Sequence, residues 1–399
     1  MRVRMLFAAG VVILTMMAAM GCGPAGPQSS DRGSGLRSKP FATAGPVPEL
    51  NTAALIGNTM GWVGGDGVIL STTDGGEHWR RQYSGPADVQ QLDFLNRSDG
   101  WARTKTILLR TTNGGAAWIT ETRAGDFSSI QFVTPETGFA LNAAGQLEKT
   151  ADGGGMWRPV PLPVSASTVA SAVAAYCADS TDAIGCGTPR TSGPVASFCF
   201  ASPSVGFWVT VRALSSALYQ TTDGGSTWQK VPSPEPVAEH PISEPATSGI
   251  DQQLECTGTS VFDFVAEGVG LGSESYGLFS TSVSRIRWVT DVDHLFPSNA
   301  LEGPPEVLST SFVVHGNRGY LIGNCSACSD ARRVLVRAGE GAEQTVAVQG
   351  LGSAVLHQMV FISPTVGWAV GQQGGGSTAA GGLWQTVNGG ALWTLASFG

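Results

Sequence analysis

Ser71-Thr72-Thr73-Asp74-Gly75-Gly76-Glu77-His78-Trp79 is a short stretch that returns four more times. The copies run from Arg110 to Trp118 around Asn113-Gly114-Gly115, and from Lys149 to Trp157 around Asp152-Gly153-Gly154. Two more run from Gln220 to Trp228 around Asp223-Gly224-Gly225, and from Gln385 to Trp393 around Asn388-Gly389-Gly390. Recurrence of this kind marks a repeat architecture before any other signal is weighed. Asp or Asn accepts hydrogen bonds from backbone amides a few residues on. The glycines suit positions where a Cβ clashes. The preceding Thr can pin the near side, and the closing Trp covers the hairpin and packs between neighbouring units. Truncating a buried Trp of this kind costs about 3–5 kcal/mol. Asn113 and Asn388 stand where Asp74, Asp152 and Asp223 stand in the other copies, so carboxylate charge is dispensable. That speaks against a repeated catalytic or calcium role. Asp74, Trp79, Asn113, Trp118, Asp152, Trp157, Asp223, Trp228, Asn388 and Trp393 are therefore read as structural.

A Gly-aromatic pair precedes each turn: Gly61-Trp62, Gly100-Trp101, Gly138-Phe139, Gly206-Phe207 and Gly367-Trp368. An apolar stretch precedes most of the pairs, as in Leu92-Asp93-Phe94-Leu95 and Ile130-Gln131-Phe132-Val133. These segments are too short, and too interrupted by glycine, for helices; each unit reads as four strands. Two eroded copies follow the same order. One runs through Val261-Phe262-Asp263-Phe264, Gly270-Leu271 and Tyr276 to Trp288; the other runs through Phe312, Gly319-Tyr320 and Arg333-Val334-Leu335-Val336. The units fall at about 50–84, 90–124, 128–163, 196–232, 257–292, 308–348 and 355–399. Units of this length that cannot bury both faces alone predict an all-β, seven-bladed β-propeller over 50–399, with six or eight blades as alternatives. All four strands of each blade come from one repeat, so no strand exchange closing the ring is evident. Inserts at 164–195 and 233–256 break the rhythm, the second Pro-rich and acidic.

Ser71 to Trp79 resembles the Asp-box of BNR repeats. The whole unit is similar to the propeller-type photosystem II assembly and stability factors and their bacterial relatives. The resemblance spans nearly all of 50–399. It implies the propeller fold and places the Asp-boxes away from the functional face. It does not select an activity, because Asp-box propellers include sialidases, xyloglucan-cleaving glycosidases, sorting receptors and assembly factors.

Arg2 and Arg4 followed by an apolar run from Met5 to Met20 form a secretory leader. Ala19-Met20-Gly21-Cys22 resembles a bacterial lipobox, which implies a signal peptide over 1–21 and a lipidated Cys22. The Gly-, Ser- and Pro-rich stretch that follows reads as a flexible tether over 22–49. Such a chain sits outside the cytoplasm, on the bacterial cell surface or the periplasmic face of a membrane, held there only by its lipid. The net charge of −8 becomes about −10 once Arg2 and Arg4 leave, which disfavours nucleic acid as a partner. Cys177, Cys186, Cys199, Cys256, Cys325 and Cys328 are an even set in an export context. Pairing Cys177 with Cys186 and Cys325 with Cys328 leaves Cys199 for Cys256, one of fifteen possible connectivities. Cys325 and Cys328 lack the further ligands of a metal site, and no metal or cofactor is expected.

Two functional classes remain. A non-enzymatic scaffold would bind a protein or polysaccharide on its irregular loops and axial face. A glycoside hydrolase would need two carboxylates about 5–9.5 Å apart. Asp93 and Asp263, each read in the first strand of its blade, are weak candidates for that pair. The sialidase Arg-Ile-Pro motif is missing near the start, and the arginines that assembly factors cluster are isolated in this chain.

Overall fold

The computed structural model describes residues 48–122, 127–142, 145–164, 196–212, 215–231, 248–257, 260–269, 273–282, 285–291, 306–307, 313–315, 318–324, 333–339, 344–374 and 380–396. Every regular element among them is a strand. The first sheet is β1–β4 (Leu50–Ile56, Met60–Gly65, Val68–Thr72, Arg80–Ser84) and the second β5–β8 (Val89–Phe94, Gly100–Thr104, Leu108–Thr111, Ile119–Thr122). The third is β9–β12 (Phe127–Phe132, Gly138–Asn142, Leu147–Thr150, Arg158–Pro159) and the fourth β13–β16 (Ala196–Phe200, Gly206–Arg212, Ser215–Thr221, Gln229–Lys230). The fifth is β17–β20 (Ser248–Thr257, Ser260–Val269, Ser273–Ser282, Arg285–Asp291). The sixth is β21–β25 (Glu306–Val307, Val313–His315, Arg318–Asn324, Arg333–Gly339, Gln344–Val348) and the seventh β26–β29 (Val355–Phe361, Gly367–Gln372, Gly381–Thr386, Thr394–Leu395). Strands pair antiparallel in chain order within each sheet, except that β21 and β22 both pair with β23.

The chain is therefore all-β, built from repeated four-stranded antiparallel sheets as the spacing predicts. First strands of neighbouring sheets meet, β1 against β5, β5 against β9, β13 against β17, and β26 against β1. The core lies between sheets. Trp62 and Ile69 of the first sheet pack with Val89, Leu92 and Leu109 of the second. Trp101 and Leu108 pack with Phe127, Ile130 and Phe132 of the third. Trp368, Val370 and Leu383 of the seventh close on Leu50, Ala53 and Val63 of the first. No described strand is exchanged between these two sheets, so the seam is made by side chains.

The Gly-aromatic pair has a steric reason. Four of the five glycines oppose an aromatic residue on the first strand of their own sheet, as Gly100 does Phe94 and Gly138 does Phe132, while Gly61 opposes Leu55. A Cβ at Gly100, Gly138 or Gly206 would run into the ring of Phe94, Phe132 or Phe200. The aromatic neighbour then crosses to the next sheet: Trp62 stacks on Phe94 at 3.7 Å, Trp101 on Phe132 at 3.6 Å and Phe139 on Phe200 at 3.4 Å.

The fifth sheet departs from the expected phase. Its first strand is Ser248–Thr257, all but Thr257 within the stretch read as an insert over 233–256, and Val261 to Phe264 lie on its second strand. With no Asp-Gly-Gly turn in this unit, only Phe262 and Phe264 were left to set the register. Thr257 pairs with Ser260 across a short hairpin that fixes the true one. Residues 1–47, with the leader, Cys22 and most of the tether, lie outside the described residues, as do 165–195 and 232–247 of the two inserts.

Candidate functional site

The five repeated turns share one bonding scheme. In the first, the Thr72 hydroxyl donates to Asp74 Oδ1 at 2.7 Å and accepts from Gly76 N–H at 2.9 Å. Asp74 Oδ1 also accepts from His78 N–H at 2.9 Å. Thr111 with Asn113, Thr150 with Asp152, Thr221 with Asp223 and Thr386 with Asn388 repeat the Thr-to-Asx bond at 2.7–3.0 Å. Both glycines of every copy have φ between 69° and 114°, the left-handed region open to glycine. The first of them ties back to the turn between strands one and two, Gly75 N–H to Thr59 O and Gly153 N–H to Glu136 O, each at 2.8 Å. Burial opposes ionisation of Asp74, but bonds from His78 and Thr72 outweigh it and bring its pKa to about 2. Bonds from Thr227 and Thr221 bring Asp223 to about 2 as well, and bonds from Met156 and Thr150 lower Asp152.

The carbonyl of the first glycine is capped from the preceding sheet. Gln385 Nε2 donates to Gly75 O at 3.1 Å, Trp62 Nε1 to Gly114 O at 3.1 Å and Trp101 Nε1 to Gly153 O at 2.8 Å. Lys149 Nζ donates to Gly224 O at 3.2 Å. A second clasp lies on the inner strands. Gln358 Oε1 accepts from Ala53 N–H at 2.7 Å, the Thr52 hydroxyl from Leu92 N–H at 3.0 Å, and Gln91 Oε1 from Ile130 N–H at 2.9 Å. Gln131 binds both N–H and C=O of Phe200, and the Ser197 hydroxyl accepts from Leu254 N–H.

Asp93 belongs to this inner series. Its carboxylate accepts from Phe132 N–H at 2.5 Å, the same step across a joint that Gln131 makes to Phe200. Asp263 does not share its place in the repeat: it lies on β18, the second strand of its sheet, whereas Asp93 lies on β5, a first strand. The Asp263 side chain is outside the described residues. The closing Trp residues lie at the joints. Trp118, Trp157, Trp228 and Trp393 back Phe94, Phe132, Phe200 and Phe361 of their own sheets at 6.0–6.3 Å, inside cores shared with the preceding sheet. Trp79 meets Trp368 of the seventh sheet at 5.2 Å, and Trp228 Nε1 donates to Pro161 O, just past the third sheet, at 2.8 Å. The ring after each glycine and the closing Trp share the joining.

The opposite end of the sheets, where β1, β5 and β26 begin, is built differently. Glu49, Asp66 and Asp88 come from the start of β1, the β2–β3 turn and the link between the first two sheets. Asn51 Nδ2 donates to Asp88 Oδ1 at 2.7 Å, and Gln372 Nε2 donates to Glu49 Oε1 at 2.5 Å. His357 Nδ1 lies 3.0 Å from Leu50 O, and its Nε2 lies 3.7 Å from Glu49 Oε1. Partial burial, then the charges of Asp66 and Glu49, push the Asp88 carboxyl upward. Behind it Arg103, only 8% exposed, donates to Gln90 Oε1 at 2.8 Å and Phe127 O at 2.9 Å. Burial lowers its pKa to about 10, with Asp88 acting the other way. Arg103 and His357 each reach a backbone carbonyl of a neighbouring sheet, Phe127 O and Leu50 O, so this end is charged as well as tied across its joints. No motif announced these charged groups.

Cys199 and Cys256 form a disulfide between β13 and β17; Cys177, Cys186, Cys325 and Cys328 lie outside the described residues. Among the described residues one group offers three potential metal ligands, Asp74, Glu77 and His78, with donor atoms within 4.8 Å of one another. Asp74 Oδ1 is already engaged by Thr72 and by His78 N–H, and Oδ2 by His78 Nδ1 at 2.6 Å. These contacts close the turn upon itself.

No family model and no curated protein matches the chain. Solved structures do. YCF48 from Cyanidioschyzon merolae is similar with a TM-score of 0.55 at 15% identity, over 88% of this chain and 98% of that one. A structure of YCF48 bound to D1 peptide has a TM-score of 0.48 at 16% identity, over 86% and 94% of the two chains. An ancestral GH74 enzyme has a TM-score of 0.48 at 17% identity, over 88% of this chain and 45% of that one. At such identities the likeness to the first is one of fold: this chain has the fold of a β-propeller.

Proposed function

We propose that the chain is a seven-bladed β-propeller held outside the cytoplasm by a lipid on Cys22, acting as a non-enzymatic scaffold that binds a protein partner. Seven sheets whose first strands meet, the seventh returning to the first, support the blade count. The partner docks at the end opposite the Asp-boxes, where Glu49, Asp66 and Asp88 converge. One observation carries this reading: Glu49, Asp66 and Asp88 meet at one end of the sheets, where partial burial and then the two neighbouring carboxylates raise the Asp88 carboxyl, an arrangement that opposes its ionisation. Three acids at one mouth fit a basic segment of the partner. A glycoside hydrolase is the second reading. It draws little from Asp93, whose carboxylate is bound to the Phe132 amide.

Capture from the native membrane with the full-length acylated protein tests the proposal. Wild type is expected to retain a protein partner in a salt-sensitive manner. The Glu49→Gln/Asp66→Asn/Asp88→Asn variant should lose at least tenfold of it while staying folded. Equal capture by both would overturn the site. Sugar release from a polysaccharide by the purified protein would overturn the scaffold. Cys22→Ala should move the protein out of the membrane fraction, and its retention there would defeat the anchor.

A further inference from the structure

The joint between the fourth and fifth sheets lacks a fastening that other joints have. At three joints the residue just before the box Thr donates to the next sheet's backbone: Gln385 to Gly75 O, Arg110 to Pro135 O and Lys149 to Gly224 O. Gln220 holds the same register, opposite Phe207 as Lys149 is opposite Phe139. Its buried Nε2 has no acceptor among the described residues. The reason lies across the joint. In boxed sheets, residues 73–79, 112–118, 151–157, 222–228 and 387–393 separate strands three and four. In the fifth sheet only 283–284 do, with Ser282 paired to Arg285, so no box carbonyl can be presented.

The inner clasp at this joint is also changed. Asp93, Gln131 and Cys199 occupy one register position, each opposite the aromatic of its Gly-aromatic pair: Trp101, Phe139 and Phe207. Asp93 reaches Phe132 N–H and Gln131 reaches Phe200 N–H in the following sheet. Cys199 reaches Cys256 in the following sheet and bonds to it covalently. We propose that the Cys199–Cys256 disulfide replaces the missing Asp-box clasp, making the fourth–fifth joint a redox-sensitive hinge where the other described joints are fastened without covalent bonds. Apart from it, the described hydrogen bonds here reduce to the short bridge from Ser197 to Leu254 N–H.

Opening needs a dithiol reductant. A reductant thiolate attacks the sulfur of Cys256, a less buried residue than Cys199, and Cys199 leaves as a thiolate that takes a proton from solvent. The second reductant thiol then closes the reductant's own disulfide and frees Cys256. Two electrons pass to the protein and the reductant is oxidised.

Hydrogen exchange of the full chain, oxidised and after dithiothreitol treatment in native buffer, tests this. Exchange over 196–200 and 248–257 should accelerate at least tenfold, with less than twofold change over β1, β5 and β9. Cys199→Ala/Cys256→Ala should reproduce that pattern without reductant, which separates it from effects at the other cysteines. Should that variant fail to fold, reduction of the folded wild type decides alone. Unchanged exchange at the two strands, equal acceleration in every sheet, or a disulfide that resists reduction until the chain unfolds would each overturn the proposal.

Discussion

The two ends of these sheets use the same residue types for opposite purposes. At the end that carries the repeated turns, Asp74, Asp152 and Asp223 spend their carboxylates on Thr hydroxyls and amides of their own turns. At the other end, Asp88 sits near Asp66 and Glu49 and is pushed away from ionisation. Five repetitions of one turn mean that one bonding scheme solved one problem five times. Among the described residues the charged mouth occurs once, at the first, second and seventh sheets. The contrast sets a repeated fastening against a cluster of charge that does not repeat it.

The sharpest way to break the comparison is to attack the fastening end. Trp101 is fully buried, stacks on Phe132 and donates to Gly153 O, so it links the core of one joint to the box beyond it. Trp101→Ala is expected to cost about 3–5 kcal/mol in urea unfolding. A loss under about 1 kcal/mol would show that the joints are not where stability resides. Thr150→Val is gentler, because it keeps the volume and deletes only the hydroxyl. Gly154 N–H, buried and bonded to that hydroxyl at 3.1 Å, then loses its acceptor. The expected cost is about 1–3 kcal/mol. An undiminished unfolding midpoint would mean that solvent replaces the hydroxyl, and the turn would cease to be a closed unit.

How far the sequence reveals these ends follows from how each is made. The box is a contiguous signal, since Thr, Asx, two glycines and Trp act on neighbours within a few residues; the fold and the turn roles were legible from it. The aromatic after each glycine was visible as a pattern, but its partner across the joint was not. Phe94 and Trp62 are matched only once two sheets pack. The fifth sheet was misphased because its unit carries no box, so Asp263 was aligned with Asp93 on apolar residues alone. The mouth was illegible for a deeper reason. Glu49, Asp88 and His357 lie in three separate segments, each an ordinary polar residue at the edge of a strand. Their proximity is a product of the seam between the last sheet and the first, which leaves no local trace.

The smallest effects give the most discriminating test, because the same substitution should act with opposite sign at the two ends. Asp223 has a folded pKa of about 2, below its usual value near 3.8. Its ionised form therefore adds stability above pH 4, and that contribution is lost as the pH falls toward 2. Asp223→Asn, which copies the natural Asn113 and Asn388 turns, should leave the chain slightly less stable at pH 7 and approach wild type as the pH falls through about 2. Asp88 has its folded pKa raised, so wild type gains from it below the usual Asp value and loses as the pH rises through the folded one. Asp88→Asn keeps an acceptor for Asn51 and removes the repulsion from Asp66 and Glu49. It should be more stable than wild type at pH 7 and converge with it in acid. Asp88 is only partly buried, so solvent screening keeps its gain to roughly a few tenths of a kcal/mol. Unfolding midpoints of the two variants at pH 7, 4 and 2.5 read the signs directly. If both shift the same way at neutral pH, the two ends are electrostatically alike, and the charge at the mouth loses its standing as a feature maintained against stability.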